Sequence, residues 1–114
     1  MIKIEIQRQN GKITYFEIKG HADFSGYGDD IICAAVSSVG QMTINGLIET
    51  LKLQEKLEYV EKDGLITCDL KESELTDEEL EKADILIESM YSYLKAVARS
   101  YSEFVKLEEK IENK

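Results

Sequence analysis

The residues best suited to chemistry are the only histidine of the chain, His21, and Cys33, twelve positions later. A cysteine attacks as its thiolate, which a nearby histidine or a helix N-terminus stabilises. The sequence predicts a helix from about Asp30, so Cys33 should be its third residue, where unpaired backbone N–H groups favour an anion. The pair indicates a thiol enzyme. From residue types alone, a buried packing cysteine is the alternative, since the neighbours of Cys33 are apolar.

The segment 22–29, between His21 and the predicted helix, has no clear periodicity. It contains two glycines, which permit unusual backbone angles, and two aromatic residues, Phe24 and Tyr27. We expect a loop whose aromatic side chains fold over an extended substrate. An ordinary connection with its aromatic residues packed on the domain is the alternative.

Two further residues bear on the site. Ser37 lies four residues after Cys33 on the same helical face, so its hydroxyl is placed to reach the site. A hydrogen bond from this hydroxyl to the preceding turn of the helix is equally compatible with the sequence. Cys68 alternates with Ile66 and Leu70 on one strand face, which predicts a core thiol without a nearby partner.

The remaining pattern predicts two β-hairpins. Alternating apolar and polar residues precede Asn10-Gly11, and the run 13–18 follows it. An Asn-Gly pair suits the positive φ angles of a type I′ turn. By the same argument, the stretches 59–61 and 65–70 flank a second turn at Asp63-Gly64.

Two helices separate and follow the hairpins. The first should span about 30–52, with Asp29 or Asp30 as its N-cap. The second should begin at Thr76, where Glu79 completes a capping box. Its apolar stripe, which indicates core or subunit interface, consists of Leu80, Ala83, Ile87, Met90, Leu94, Val97, Tyr101 and Phe104. The sequence therefore predicts one α+β domain over 1–114, in which two antiparallel hairpins form a sheet packed against two helices, in the order ββαββα.

Composition limits the partners. With 23 acidic and 14 basic residues the net charge is −9, which disfavours direct nucleic-acid binding and favours a basic partner. Two cysteines 35 positions apart and one histidine indicate neither a metal site nor a disulfide framework. The sequence lacks an apolar run of about 18 residues and a secretory leader, so we expect a cytoplasmic, cofactor-free protein that does not span a membrane.

Two motifs closely resemble the ribosomal-processing cysteine protease family, called Prp. Its signature is Gly-His-Ala, a short variable loop, and then Gly-x-Asp-Ile-Val-Cys-Ala-Ala-Val-Ser. The first motif matches 20–22 and the second 28–37, with Ile32 as the one departure from the commonest residue. The order of predicted elements extends the resemblance over nearly the whole chain.

The resemblance implies a homodimeric endopeptidase that removes a short N-terminal extension from the precursor of a large-subunit ribosomal protein. By position, Cys33 becomes the nucleophile, and His21 becomes the general base and later the general acid. Further motif and loop residues become candidates for supporting the site or contacting substrate. These candidates are Gly20, Phe24, Tyr27, Asp30 and Ser37.

The chemistry and the expected assembly agree with this reading. Acyl transfer needs an activated nucleophile, a base within reach and N–H donors, which the first turn after Asp30 could supply. The substrate implied by the resemblance is basic, so an acidic surface would help to steer it. A homodimer is also expected because the second helix offers more apolar surface, from Met90 to Phe104, than one sheet face can cover.

Two other classes of function stay open from the residues. A noncatalytic acidic module that binds a ribosomal component would explain the charge but would leave Cys33 chemically ordinary. Another thiol-dependent enzyme, such as an acyltransferase, would keep Cys33 reactive. Thiol–disulfide exchange is disfavoured because no resolving cysteine lies close in sequence and Cys68 is predicted to be buried.

Overall fold

The computed structural model describes residues 1–20 and 27–112, with the backbone alone for 27–30. Five strands and two long helices alternate along these residues. In chain order they are β1 (Ile2–Gln9), β2 (Lys12–Lys19), α1 (Tyr27–Asn45), β3 (Glu58–Lys62), β4 (Leu65–Asp69), α2 (Asp77–Ser100) and β5 (Val105–Glu112). The predicted α+β class and both predicted hairpins are confirmed.

A single five-stranded sheet has the order β3-β4-β2-β1-β5. The pairs β1·β2, β2·β4 and β3·β4 are antiparallel, whereas β5 runs parallel to β1 and pairs Ile2 with Val105. The sequence analysis missed β5 and placed Tyr101 and Phe104 on the second helix. That placement is wrong, because α2 ends at Ser100 and the chain then turns to pair with the free edge of β1.

The two hairpin turns differ in backbone conformation. Asn10 and Gly11 have φ values of 52° and 84°, the two positive angles that a type I′ turn requires. In the second turn only Gly64 has a positive φ, 78°. The hairpin is present there as predicted, but Asp63 does not adopt the left-handed conformation of the first turn.

Helix α1 begins and ends earlier than the sequence predicted. It starts at Tyr27, so Asp29 and Asp30 lie inside the helix and neither of them is its N-cap. Past Asn45 the chain continues as a π-helical turn, Gly46–Thr50. The helical stretch then ends before Lys52, whose φ of 59° is left-handed.

The core lies between the sheet and the two helices. Ile32, Val36, Ile44 and Leu47 form the buried face of the helical stretch that begins with α1. Residues Ile31–Thr50, with a mean hydropathy of 1.6, meet the length and composition criteria of a membrane-crossing helix. A core helix of a soluble protein meets the same criteria, and the expectation that the chain spans no membrane stays a prediction.

Helix α2 is held at its N-terminus by the predicted capping box. The Thr76 hydroxyl accepts from the Glu79 N–H at 3.1 Å, and the Glu79 carboxylate accepts from the Thr76 N–H at 2.9 Å. Met90, Leu94 and Val97 are buried within the monomer, so this part of the stripe is core. The expected use of these three side chains as an exposed subunit surface is therefore wrong, because each is at most 8% exposed in the monomer.

We predict that Cys68→Ala lowers the free energy of unfolding by about 1 kcal/mol without altering the fold. Cys68 is 0% exposed, and removal of its sulfur leaves a small cavity. Chemical denaturation of both proteins measures the difference. A variant as stable as the wild type would show that the surrounding core closes over the lost volume.

Candidate active site

Cys33 lies on α1. It is half-buried and packs against the hydrophobic core, whereas the adjacent Ile31 is 56% exposed. Because α1 begins at Tyr27, Cys33 is the seventh helical residue and not the third. Its backbone N–H therefore lies inside the helix, which corrects the expectation of unpaired N–H donors beside the sulfur.

Ser37 follows Cys33 by one helical turn and is half-buried. Thr43 on the same helix donates its hydroxyl to the Val39 carbonyl at 2.9 Å. Within the described residues, Ser37 makes no such bond to the preceding turn. The hydrogen bond to the preceding turn is therefore not found for Ser37, and its functional role stays a prediction.

Gly20 fixes the chain at the position that precedes the histidine. Its φ is +115°, and its N–H donates to the Gly64 carbonyl at 3.0 Å. A Cβ at this position would lie 2.5 Å from the Met1 carbonyl oxygen. Only glycine accommodates both the left-handed backbone and this close approach. The segment that leads into His21 is therefore anchored to the N-terminus and to the turn between β3 and β4.

A cavity of about 740 Å³ brings these two regions together. Gly20 and Ser37 both contribute to its lining. The floor is apolar and includes Ile18 and Ile66, and the side opposite α1 is formed by the turn between β3 and β4. A residue one turn from Cys33 and the residue before His21 thus face the same space.

Some predicted site residues fall where the structure does not describe them. His21 and Phe24 lie outside the described residues. Tyr27 and Asp30 belong to α1 by their backbone, and their side chains are likewise not described. Cys33, Ser37 and Gly20 remain as the predicted site residues whose surroundings are defined.

The second thiol is separated from this site. Cys68 lies on β4 facing the helices and is 0% exposed. Burial raises the pKa of the Cys68 thiol to about 12, and the charge of Asp69 adds to the effect. Cys68 is therefore a core residue, as predicted, and stays protonated at neutral pH.

The sequence analysis missed the polar residues of the cavity wall. Gln41 and Asn45 line the cavity on the same flank of α1 as Ser37. Their spacing of four and eight residues from Ser37 was a usable signal, because residues four apart share a helical face. The turn at Asp63 and Gly64 carried no comparable signal, since its contact with the site joins distant parts of the chain.

Comparisons with known proteins agree on one family. The family model described as "Cysteine protease Prp" matches residues 1–106. The chain is 35% identical over 104 residues to the ribosomal processing cysteine protease Prp of Bacillus subtilis (strain 168), covering 90% of this chain and 92% of that protein.

Solved structures of the essential ribosomal processing protease Prp from S. aureus are also similar. The complex with a substrate peptide has a TM-score of 0.77 and 26% identity, over 96% of this chain and 100% of the other. The complex with a covalently linked product peptide has a TM-score of 0.74 and 27% identity, with the same coverage.

We predict that Gly20→Ala lowers the free energy of unfolding by about 1–3 kcal/mol and changes the rate at which iodoacetamide labels Cys33. The added methyl meets a backbone oxygen at 2.5 Å, so the chain beside the cavity must move. Gly11→Ala is the control, since Gly11 also has a positive φ but no atom within 4 Å of an added Cβ. Equal effects of the two substitutions on labelling would contradict the assigned role of Gly20.

Proposed function

The chain belongs to the cysteine protease Prp family, and from this premise we propose that it removes the N-terminal extension of a large-subunit ribosomal protein precursor. The chain is a cysteine protease, as the family match and the named relatives establish. The precursor as substrate, Cys33 as nucleophile and His21 as general base belong to the proposal. The name of the B. subtilis relative, a ribosomal processing protease, supports the choice of substrate.

One observation carries the assignment of the catalytic pair. Gly20, the neighbour of His21 in sequence, lines the same cavity as Ser37, one turn from Cys33. His21, the only histidine of the chain, follows Gly20 directly in sequence, and the half-buried Cys33 precedes Ser37 by one helical turn. Acyl transfer needs a nucleophile and a base within reach of each other, and this cavity joins the segments next to both residues in sequence.

The reaction follows from these two groups. His21 accepts the proton of the Cys33 thiol, and the sulfur attacks the peptide carbonyl carbon. The peptide C–N bond breaks, His21 returns the proton to the leaving amine, and a thioester joins the extension to Cys33. Water, deprotonated by His21, then attacks the thioester, releasing a carboxylic acid and restoring the thiol. The Ser37 hydroxyl is available to donate a hydrogen bond to the substrate.

Substrate attraction has an electrostatic basis. The chain carries a net charge of −9, and a ribosomal protein precursor is basic. Opposite charges raise the rate of encounter and suppress wrong partners.

The proposed site also includes three residues that were identified from the family motif and from the segment after His21. Asp30 is assigned as an orienting group, and Phe24 and Tyr27 are assigned as substrate contacts. We also propose that the protein acts in the cytoplasm, because ribosomal proteins are made there.

A homodimer also belongs to the proposal, through a groove that includes Met90 of the predicted stripe and lies between α1 and α2. The groove between α1 and α2 is lined only by uncharged residues and is flanked by Met42 and Tyr93, which are 67% and 51% exposed. Two copies with a net charge of −9 repel each other, so they should meet where charge is absent. This groove satisfies that condition.

We predict that the protein cuts the ribosomal protein precursor of the same genome at one bond, and that Cys33→Ala abolishes the cut. Cys33→Ala removes the attacking sulfur with little change in volume, and His21→Ala should have nearly the same effect. Mass spectrometry of the new N-terminus measures the outcome. Cys68→Ala is the matched control and should retain full turnover. Cleavage by purified Cys33→Ala would refute the assigned nucleophile.

The assembly is tested separately. Light scattering at micromolar concentration should return a dimer of the 13.0 kDa chain, and Tyr93→Glu should convert it to a monomer by placing a charge in the uncharged groove. Val60→Glu is the control, since Val60 is 40% exposed on β3, away from the groove. A 13.0 kDa species from the wild type would exclude the dimer. A dimer that survives Tyr93→Glu would place the interface elsewhere.

A further inference from the structure

A row of polar side chains extends along α1 from Cys33. Ser37, Gln41 and Asn45 follow it at intervals of four residues and therefore occupy one flank of the helix. With a rise of about 1.5 Å per residue, these three residues span about 12 Å. Within the described part of the chain, the side chains of these three residues make no hydrogen bond.

Ser37, Gln41 and Asn45 line one side of the 740 Å³ cavity, and Cys33, one turn before Ser37, is not among its lining residues. Ile18, Ile44 and Ile66 contribute apolar surface to the same cavity. An extended peptide advances about 3.3 Å per residue, so about four residues match the span of Ser37, Gln41 and Asn45. Amide side chains both donate and accept hydrogen bonds, as the main chain of an extended peptide requires. The apolar surface of the cavity suits an apolar side chain that points into it from such a peptide.

The charges of the lining indicate which peptides fit. Glu49, Glu61 and Asp63 line the cavity, against one basic residue, Lys62. The lining thus has an excess of negative charge beside its uncharged amides. A lysine or arginine side chain in the bound segment would be attracted, and an acidic one repelled.

We propose that Ser37, Gln41 and Asn45 bind the main chain of the substrate over about four residues on one side of the cleaved bond, while the acidic lining selects a basic side chain in that segment. This inference rests on the proposed function, because it takes Cys33, one helical turn before Ser37, as the nucleophile. Gln41, Asn45 and the acidic residues become determinants of specificity that take no part in bond cleavage.

Binding is measured without turnover in the Cys33→Ala background. The probe is a fluorescein-labelled peptide that spans the cleavage site mapped on the precursor, and fluorescence anisotropy gives its Kd. We expect Gln41→Ala and Asn45→Ala each to raise the Kd about two- to tenfold, the range for one lost hydrogen bond. Ser38→Ala, on the same helix but outside the cavity lining, should leave the Kd unchanged.

Charge selection has its own test. Glu49→Gln and Glu61→Gln should each weaken binding of the peptide about two- to tenfold, and the loss should disappear when the lysine and arginine residues of the peptide are replaced by glutamine. Glu81→Gln is the matched control, since Glu81 is exposed on α2 and does not line the cavity. When Glu49→Gln and Glu61→Gln are introduced into the protein that retains Cys33, iodoacetamide should label Cys33 at the wild-type rate.

The outcomes separate this inference from the function on which it rests. A wild-type protein that cuts the precursor, with unchanged Kd values for Gln41→Ala and Asn45→Ala, overturns the binding row alone. Equal losses from Glu81→Gln and Glu61→Gln overturn the charge selection. A wild-type protein that leaves the precursor uncut overturns the proposed function and this inference together.

Discussion

The site depends on how closely α1 approaches the sheet at Gly40. A Cβ at this position would lie 2.8 Å from Ile18 Cδ1 and 3.1 Å from Ile66 Cδ1, so the side chains of β2 and β4 pack closely on the helix at its glycine. This contact fixes the height and the rotation of α1 over β2 and β4. One flank of the helix, with Ser37, then faces the turn between β3 and β4 across the cavity. A bulkier residue at Gly40 would lift this flank away from its opposite wall.

The opposite edge of the sheet is held by polar contacts. The Arg8 guanidinium pairs with Glu88 on α2 and donates to Glu109 on β5 at 2.9 Å. The Tyr91 hydroxyl donates to the same Glu109 carboxylate at 2.7 Å. Hydrogen bonds from Tyr91 and Arg8 hold the pKa of Glu109 below its usual value. Helix α2 and two strands are therefore joined by one charged network, away from the cavity.

The sequence analysis predicted the features that depend on residues close in sequence, and it missed features that depend on residues far apart in sequence. Asn10-Gly11 and the capping box at Thr76 are local, and the structure has both. Strand β5 was missed because its pairing joins Val105 to Ile2, which local periodicity does not report. The start of α1 was misplaced because two adjacent aspartates, good N-caps, lie inside the helix. The protease activity was predicted from the family resemblance. The cavity was not predicted, because it forms between segments that are distant in sequence.

The parallel pairing of β5 with β1 also sets the order in which the molecule can be completed. During synthesis Ile2 emerges long before its partner on this edge, Val105. Until then β1 presents an unpaired row of backbone groups, the kind of edge that recruits foreign strands. Contacts between such distant residues also slow folding, because a long loop must close first. The newly made chain is therefore exposed to aggregation through the edge of β1 until β5 pairs with it.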